Sequence, residues 1–348
     1  MNLIRQFGQF PDKKRKEYFK TLSNYKNGQF QNLIDTPQLA ENKNMRQVMV
    51  EYFSKHPNTT PKQELPNVHS DLKSIPKEQD FFVWFGHSSY LLQTDNINFL
   101  IDPVFSGSAS PIPGSIKSFS GSNNYRVADL PAIDYLVISH DHWDHLDFPT
   151  IELLKNKVGT VVCSLGVGQH FEYWGWDKSK IIEKSWGEEI VLSNQIHMYY
   201  TPARHFAGRG LSRNISLWTS YVLITPTKKI FLGGDSGYGP HFKEIGEKFG
   251  PFDFGFLECG QYNENWPFIH SLPKEIIQEA KELQLKNFIP VHNSKFKLSL
   301  HPWYEPLETI TQLAEENNQT ITTPKIGEVV YWNDLGKNWE KWWRPFIV

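Results

Sequence analysis

The sequence predicts an α/β domain in which two sheets, mostly antiparallel or mixed, pack face to face between outer helical layers, an αββα sandwich. Three observations predict it. From Phe81 onward, short apolar runs rich in β-branched and aromatic residues recur between turn residues, the pattern of many short strands. Amphipathic helical periodicity enters mainly late, over Pro273–Leu283 and Tyr304–Glu316. Several strands also run out into loops that begin with His or Asp. That arrangement collects distant side chains along one sheet edge on rigid supports.

Residues 1–78 are polar and weakly periodic, with Pro61, Pro66 and Pro76 near their end. They are expected to form short helices and loops that wrap the main domain, without chemistry of their own. The run Lys13-Lys14-Arg15-Lys16 reads as a solvated helix face. The main domain is placed at 79–335. It opens with strands Phe81–Phe85, Tyr90–Gln93 and Ile97–Ile101, followed by a long Ser/Gly/Pro-rich loop over 103–131. Strand Tyr135–Ile138 comes next, then a short helix over Thr150–Lys155. Thr160–Cys163, Glu189–Leu192, Ile196–Tyr200, Trp218–Ile224, Lys229–Leu232 and Phe252–Leu257 continue the strands. In Pro273–Leu283, Ile276, Ile277, Ala280 and Leu283 share one face, and Pro273 is tolerated in the first turn. Asn287–Val291 and Glu328–Trp332 are the last strands, flanking the helix over Tyr304–Glu316.

Composition bounds the chemistry. A 348-residue chain with 39% hydrophobic residues can bury one large core or two modest ones. A formal charge of -2 argues against a nucleic-acid partner. Cys163 and Cys259 are too few for a disulfide framework or a thiolate metal site. No apolar run approaches the roughly 18 residues of a spanning helix, and the N-terminus has no signal-peptide core. The chain is therefore expected to be soluble and cytoplasmic, with peripheral contact at the inner membrane surface as the open alternative.

The densest chemistry lies directly after strand Tyr135–Ile138, in His140-Asp141-His142-Trp143-Asp144-His145. Three imidazoles and a carboxylate crowded at a strand end are the ligand types that suit zinc and similar divalent ions. Four further candidates follow strands: His205, Asp235, His292 and, in a loop, His270. Gly233-Gly234 before Asp235 suits close backbone approach to an occupied site. His56, His69, His170, His197, His241 and His301 show no convergent spacing and read as surface or core residues. Cys259 reads as a buried, inert thiol.

These motifs together resemble the metallo-β-lactamase superfamily of binuclear metal hydrolases. The nearest likeness is to the branch containing N-acyl-phosphatidylethanolamine-hydrolysing phospholipase D. The resemblance rests on Gly86-His87-Ser88, Asp102-Pro103-Val104-Phe105, the His140–His145 run, Thr201-Pro202-Ala203-Arg204-His205, Gly234-Asp235-Ser236-Gly237-Tyr238, Gly250-Pro251-Phe252-Asp253 and Val291-His292, in order over about residues 80–335. It implies His140, His142 and His205 on one metal, Asp144, His145 and His292 on a second, and Asp235 bridging both. Asp144 and Asp235 then count among the catalytic residues. The cofactors implied are two divalent ions, with zinc the default and iron or manganese also suited.

His87 and Asp102 belong to family-like motifs outside that ligand set. Asp102 reads either as a group that orients ligand histidines or as a turn-forming Asp before Pro103. His270 reads either as a catalytic group that protonates a leaving group or binds phosphate, or as a plain loop histidine.

The resemblance implies a phosphodiester substrate, small-molecule or lipid, cleaved by a metal-bridging hydroxide. Hydrolysis of small carboxylic esters or lactones is the alternative, and a non-catalytic metal-binding protein is the alternative of another class. In the tail, 336–348, Trp339, Trp342, Trp343 and Phe346 fall at helical spacing beside Lys337, Lys341 and Arg344. This stretch reads as packing back onto the domain, with a lipid interface as the minority reading. Segment Leu257–Asn263 keeps a Gly-x-Tyr pattern of the phospholipase-like branch but departs around it.

Overall fold

The structure, a computed structural model, describes residues 3–41, 43–54, 56–112, 114–210 and 212–347. Its N-terminal part carries a 3-10 turn at Leu3–Phe7, α1 (Lys13–Phe19), the hairpin β1 (Tyr25–Lys26) and β2 (Gln29–Phe30), and α2 (Met45–Phe53). Local chemistry sets both helix starts. The Asp12 carboxylate accepts from Arg15 N–H to cap α1, and Asn44 and Gln47 form a reciprocal capping box on α2. Phe19, Tyr25 and Phe30 then pack on Leu165, Ala203, Ala207, Leu217 and Trp218 of the main domain.

The first large sheet comprises β3 (Phe81–Trp84), β4 (Tyr90–Thr94), β5 (Ile97–Ile101), β6 (Ile133–Ile138), β7 (Val158–Ser164) and β8 (Ile181–Lys184). The second comprises β9 (Glu189–Val191), β10 (His197–Thr201), β11 (Ser220–Ile224), β12 (Lys229–Leu232), β13 (Phe254–Glu258) and β14 (Phe288–Val291). β15 (Val329–Tyr331) returns to the first sheet beside β3, giving the orders β15-β3-β4-β5-β6-β7-β8 and β14-β13-β12-β11-β10-β9. Both sheets are mixed. β3 to β5 and β9 to β12 pair antiparallel, whereas β5 to β8 and β12 to β14 pair parallel.

The period-2 alternation of the strands builds three apolar layers. Phe82 and Trp84 face the central layer between the sheets, with Leu92, Phe99, Tyr221, Leu232 and Phe256. Phe81 and Val83 face the opposite way, against α3 (Phe148–Leu154) and α4 (Gly168–Tyr173). Beyond the second sheet, α5 (His241–Phe249), α6 (Pro273–Glu282) and α7 (Glu305–Glu316) supply Phe242, Ile245, Ile277, Ala280 and Ile310 to a third layer. The αββα architecture is therefore observed. Because both faces of each sheet are covered, the strands read as near-continuous apolar runs.

Several local readings needed the tertiary structure. The sequence reading did not single out α4, α5 or β8. α5 buries Phe242, Ile245 and Phe249, but Gly246 interrupts its periodicity. A Cβ at Gly246 would meet Glu282 O at 1.8 Å, so glycine there is what lets α5 approach α6. Arg15 is not part of a solvated face: its guanidinium reaches Glu172 at 2.6 Å and Glu183 at 3.0 Å. Among its described residues the C-terminal stretch forms no helix beyond the 3-10 turn Arg344–Phe346, and Trp342 and Trp343 are buried in the central layer. Cys163 and Cys259 are both buried free thiols. Among the described residues, no helix is long and apolar enough to cross a membrane.

Candidate metal centre

The pairing pattern makes β10, β12, β13 and β14 run the same way, so their C-terminal ends share one edge of the second sheet. The loops after them carry His205, Asp235 and His292, while β6 of the first sheet delivers the 140–145 run to the same place. All seven residues proposed as ligands from the sequence meet there. His140, His142, His205 and Asp235 form one group whose ligand-type atoms lie within 4.8 Å of one another; His87, Asp144, His145 and His292 form a second. Asp235 touches both groups, with Oδ2 3.1 Å from His145 Nε2 and 3.7 Å from His205 Nε2, and Oδ1 3.1 Å from His292 Nδ1.

Hydrogen bonding behind the histidines decides which nitrogens face inward. His205 Nδ1 lies 2.7 Å from the carbonyl of Ile269, which can only accept, so the ring proton sits on Nδ1 and Nε2 carries a lone pair. His145 Nδ1 donates in the same way to Asp102 Oδ2 at 2.8 Å. The Ser139 hydroxyl donates to Asp102 Oδ2 at 2.6 Å and is thus free to accept from His140 Nδ1 at 2.9 Å. The Nε2 lone pairs of His140 and His205 therefore turn toward one space, where His142 Nδ1 lies 2.8 Å from His140 Nε2 and 3.2 Å from His205 Nε2. Facing nitrogens at such separations match the edge of a tetrahedral zinc site, about 3.3 Å for Zn–N bonds of about 2.05 Å. His145 Nε2 and Asp235 Oδ1 are buried with no hydrogen-bond partner. Two such unpartnered polar atoms in one buried place are costly unless a cation or its ligand chemistry satisfies them. The donor set fits divalent metal ions.

Electrostatics agree. Burial, reinforced by neighbouring imidazoles, holds His140, His205 and His292 well below the usual histidine range, so they are neutral imidazoles, the form that can bind a metal ion. Burial also takes His142 down to about 4. Burial would lower His145 too, but Asp235, Asp144 and Asp102 outweigh it and raise that group well above its ordinary value. The carboxylates thus draw positive charge into the centre. Burial would raise Asp144, but His145 and His87 outweigh it and keep the carboxyl ionised.

The two residues placed outside the ligand set have defined partners. Asp102 accepts from Ser139 N–H at 2.8 Å as well as from His145, so it orients a histidine and ties the end of β5 to the residue after β6; among the described residues, its carboxylate makes no bond within the turn before Pro103. His87 Nε2 sits 2.8 Å from Asp144 Oδ2 and steadies that carboxylate. His270 lines the cavity with Nδ1 3.1 Å from both oxygens of Glu258. Glu258, the last residue of β13, also accepts from the N–H groups of Ser236 and Ser271. Sequence reasoning missed Glu258, and also Ser139 and Ser88, whose Oγ lies 2.8 Å from His292 Nδ1. The available signals were a lone carboxylate ending the apolar strand Phe254–Leu257 and hydroxyls adjacent to the histidine motifs. His170 and His241 are buried, and His170 Nε2 lies 3.2 Å from Asp141 Oδ2.

The cavity over the centre has a volume of about 210 Å³ and is walled by Phe206, Gln261, Trp266, Ile269 and Leu298. A larger cavity of about 470 Å³ opens between α1, the strand end Tyr199–Thr201 and α5. It lacks a convergent set of ligand groups, so the chemistry belongs to the smaller one.

Comparison with known proteins agrees with this geometry. The model of the beta-lactamase superfamily domain matches residues 97–293, more than half of the chain. An uncharacterized protein of Mycobacterium tuberculosis, Rv0906, is 34% identical over 327 residues, covering 92% of this chain and 87% of its own length. The N-acyl-phosphatidylethanolamine-hydrolyzing phospholipase D 1 of Caenorhabditis elegans is 31% identical over 281 residues, 75% of each chain. Among solved structures, the metallo hydrolase Igni18 of Ignicoccus hospitalis superposes with a TM-score of 0.56 at 18% identity, over 73% of this chain and 98% of its own. The chain belongs to the beta-lactamase superfamily and is a metal-dependent hydrolase with the metallo-β-lactamase fold.

Proposed function

We propose that this chain hydrolyses a phosphodiester, with one side of the substrate lipid-like or otherwise apolar, at a centre that holds two divalent cations. His140, His142 and His205 would hold one ion, and Asp144, His145 and His292 the other. Asp235, whose oxygens approach histidines of both groups, would be the shared carboxylate. Zinc is the default occupant, and imidazole with carboxylate also suits iron or manganese. Bound there, the pair supplies Lewis acidity and a water acidified to near-neutral pKa.

The chain's own groups do the rest. Glu258 holds the Nδ1–H of His270, so Nε2 of the neutral ring offers a lone pair; there it can take a proton from the attacking water and, as imidazolium, pass that proton to a departing alkoxide. Phe206, Trp266 and Leu298 keep water from the reacting centre and receive the apolar part of the substrate. The observation that carries the reading is the set of buried, outwardly tethered imidazoles whose free nitrogens converge beside a shared carboxylate. The phosphodiester class is supported by the phospholipase D relatives of worm and yeast, at 31% and 32% identity.

A second reading, hydrolysis of small esters or lactones, is favoured by the modest cavity of about 210 Å³, below the roughly 300 Å³ at which drug-sized ligand pockets begin. The test combines metal analysis with a screen of phosphodiesters, esters and lactones, using Asp235→Asn as the control. The wild type should carry two ions and turn over phosphodiesters, and Asp235→Asn should lose at least one ion and nearly all turnover. Turnover of esters alone would reject the phosphodiester class, and unchanged activity in the variant would reject the shared carboxylate.

A further inference from the structure

We propose that the N-terminal segment, which lies outside the matched superfamily domain, is a clamp on the metal centre, acting through its own Asn32 and through His170 of α4, on which it bears, as positioning residues. The proposal rests on the ligand assignment above. The sequence had suggested that residues 1–78 merely wrap the domain, and three separate contacts argue otherwise.

The first contact is made by Asn32, two residues beyond β2. Its side-chain Nδ2 donates to the carbonyl of His205 at 2.8 Å, and its Oδ1 accepts from the N–H of His205 at 3.1 Å. One carboxamide thus pairs with both peptide groups of a proposed ligand, as a neighbouring strand would. The Trp218 indole N–H donates to the same Oδ1 at 3.1 Å and holds the amide in place. With its backbone pinned, His205 can keep Nδ1 on the Ile269 carbonyl and Nε2 toward the centre.

The second contact is a relay beneath the histidine run. The backbone N–H of Gln9 donates to His170 Nδ1 at 3.1 Å. That nitrogen must therefore be the acceptor, which puts the ring proton on Nε2, 3.2 Å from Asp141 Oδ2. Asp141 sits between His140 and His142 and accepts in addition from the Ser216 hydroxyl and from Gly208 N–H. The chain passes so close to His170 that a Cβ on Gly8, whose φ is +71°, would meet the ring at 2.0 Å.

The third contact is the buried guanidinium of Arg209. It donates twice to the carbonyl of Gln6 and also to the carbonyls of Asp141 and Leu146. It lies 3.9 Å from the centroid of Trp143, on whose edge Phe7 packs. Residues 6–9 and Asn32 thereby fix the backbone around three proposed ligands on one ion, His140, His142 and His205. Groups that orient metal ligands from behind are commonly worth about 10–100-fold in metal affinity.

The experiment uses the full chain loaded with Zn²⁺ or Co²⁺. It follows ion release to a competing chelator, the Co²⁺ ligand-field spectrum, and the melting temperature of the metal-free protein. Asn32→Ala and His170→Phe should each release an ion at least about 10-fold faster than wild type and alter the Co²⁺ spectrum. The exposed control Lys20→Ala should match wild type in both. Should His170→Phe fail to fold, Asn32→Ala carries the test, since Asn32 is only half-buried. Wild-type release rates and spectra in the variants, with wild type holding two ions, would overturn the clamp alone. A wild-type chain that takes up no ion would overturn the ligand assignment and the clamp together.

Discussion

Replacing Asp102 by Asn tests how the centre chooses its inward-facing nitrogens. The Asp102 carboxylate accepts three donors: Ser139 N–H on Oδ1 at 2.8 Å, and on Oδ2 both the Ser139 hydroxyl at 2.6 Å and His145 Nδ1 at 2.8 Å. An amide of the same shape cannot reproduce this set. If its oxygen stays with Ser139 N–H, its NH₂ confronts His145 Nδ1 and drives the ring proton to Nε2, the atom turned toward Asp235 and Asp144. If its oxygen instead faces His145, the NH₂ opposes the Ser139 N–H, and a buried donor loses its partner. Either arrangement costs about 1.5–3 kcal/mol, the range for a lost hydrogen bond to a charged group. At about 1.4 kcal/mol per decade, metal affinity should fall by roughly 10–150-fold. The loss should be unequal, because His145, in the ligand group of Asp144 and His292, loses its direct partner, whereas in the other group only His140 is affected, through Ser139, and His205 keeps its tether on the Ile269 carbonyl. Isothermal titration of the metal-free variant with Zn²⁺ should show one site weakened much more than the other. Equal weakening of both sites, or none, would refute the tautomer argument.

Other expectations follow from the same geometry. Glu258→Gln should keep both ions by metal analysis yet lose about 10–100-fold in kcat on alkyl phosphodiesters, and far less on p-nitrophenyl esters, whose leaving group needs no proton; an equal loss on both substrates would count against His270 as the proton donor. Lys295 is fully buried on the carbonyls of Phe85 and Val104, and burial pushes its ammonium down to about 7 from 10.5. Between those values the unfolded chain holds more protons than the folded one, so this group makes stability rise with pH. In urea titrations at about pH 7 and pH 9.5, Lys295→Met should remove about 3 kcal/mol of that rise, and an unchanged slope would contradict the burial argument. Trp342→Ala should cost about 3–5 kcal/mol, because the ring is buried in the layer between the sheets; a loss below about 1 kcal/mol would mean the tail is not part of that core.

What could be read from the sequence, and what could not, divides by the range of the physics involved. The His140–His145 run is local: six consecutive residues after an apolar strand already hold enough ligand types to require a cation. His205, Asp235 and His292 were accessible one by one because each follows a short apolar, β-prone run bounded by turn residues. Their convergence depends on β10, β12 and β14 pointing the same way, which no single segment encodes. Gly246 shows the converse failure, since its missing side chain breaks the apolar pattern of α5 for the sake of contact with α6.

The groups that tune the centre were hidden for a different reason. Ser139, Glu258 and Asn32 are ordinary polar residues until their partners are known, and each partner lies across the fold: Asp102, His270 and the His205 peptide. Their value is directional. A hydroxyl that donates to a carboxylate can accept from an imidazole; a carbonyl that only accepts fixes which ring nitrogen is bare. Such chains of donors and acceptors convert a crowd of histidines into a set with defined tautomers, and a set with defined tautomers can bind metal without first rearranging. The departure around Leu257–Asn263 can be understood in these terms. Glu258, within the segment whose sequence departs from the phospholipase-like pattern, places a carboxylate behind His270 and so orients that ring at the cavity. Substrate preference is then expected to differ from that branch at the leaving-group side first, where His270, Trp266 and Leu298 meet, and least at the ions themselves.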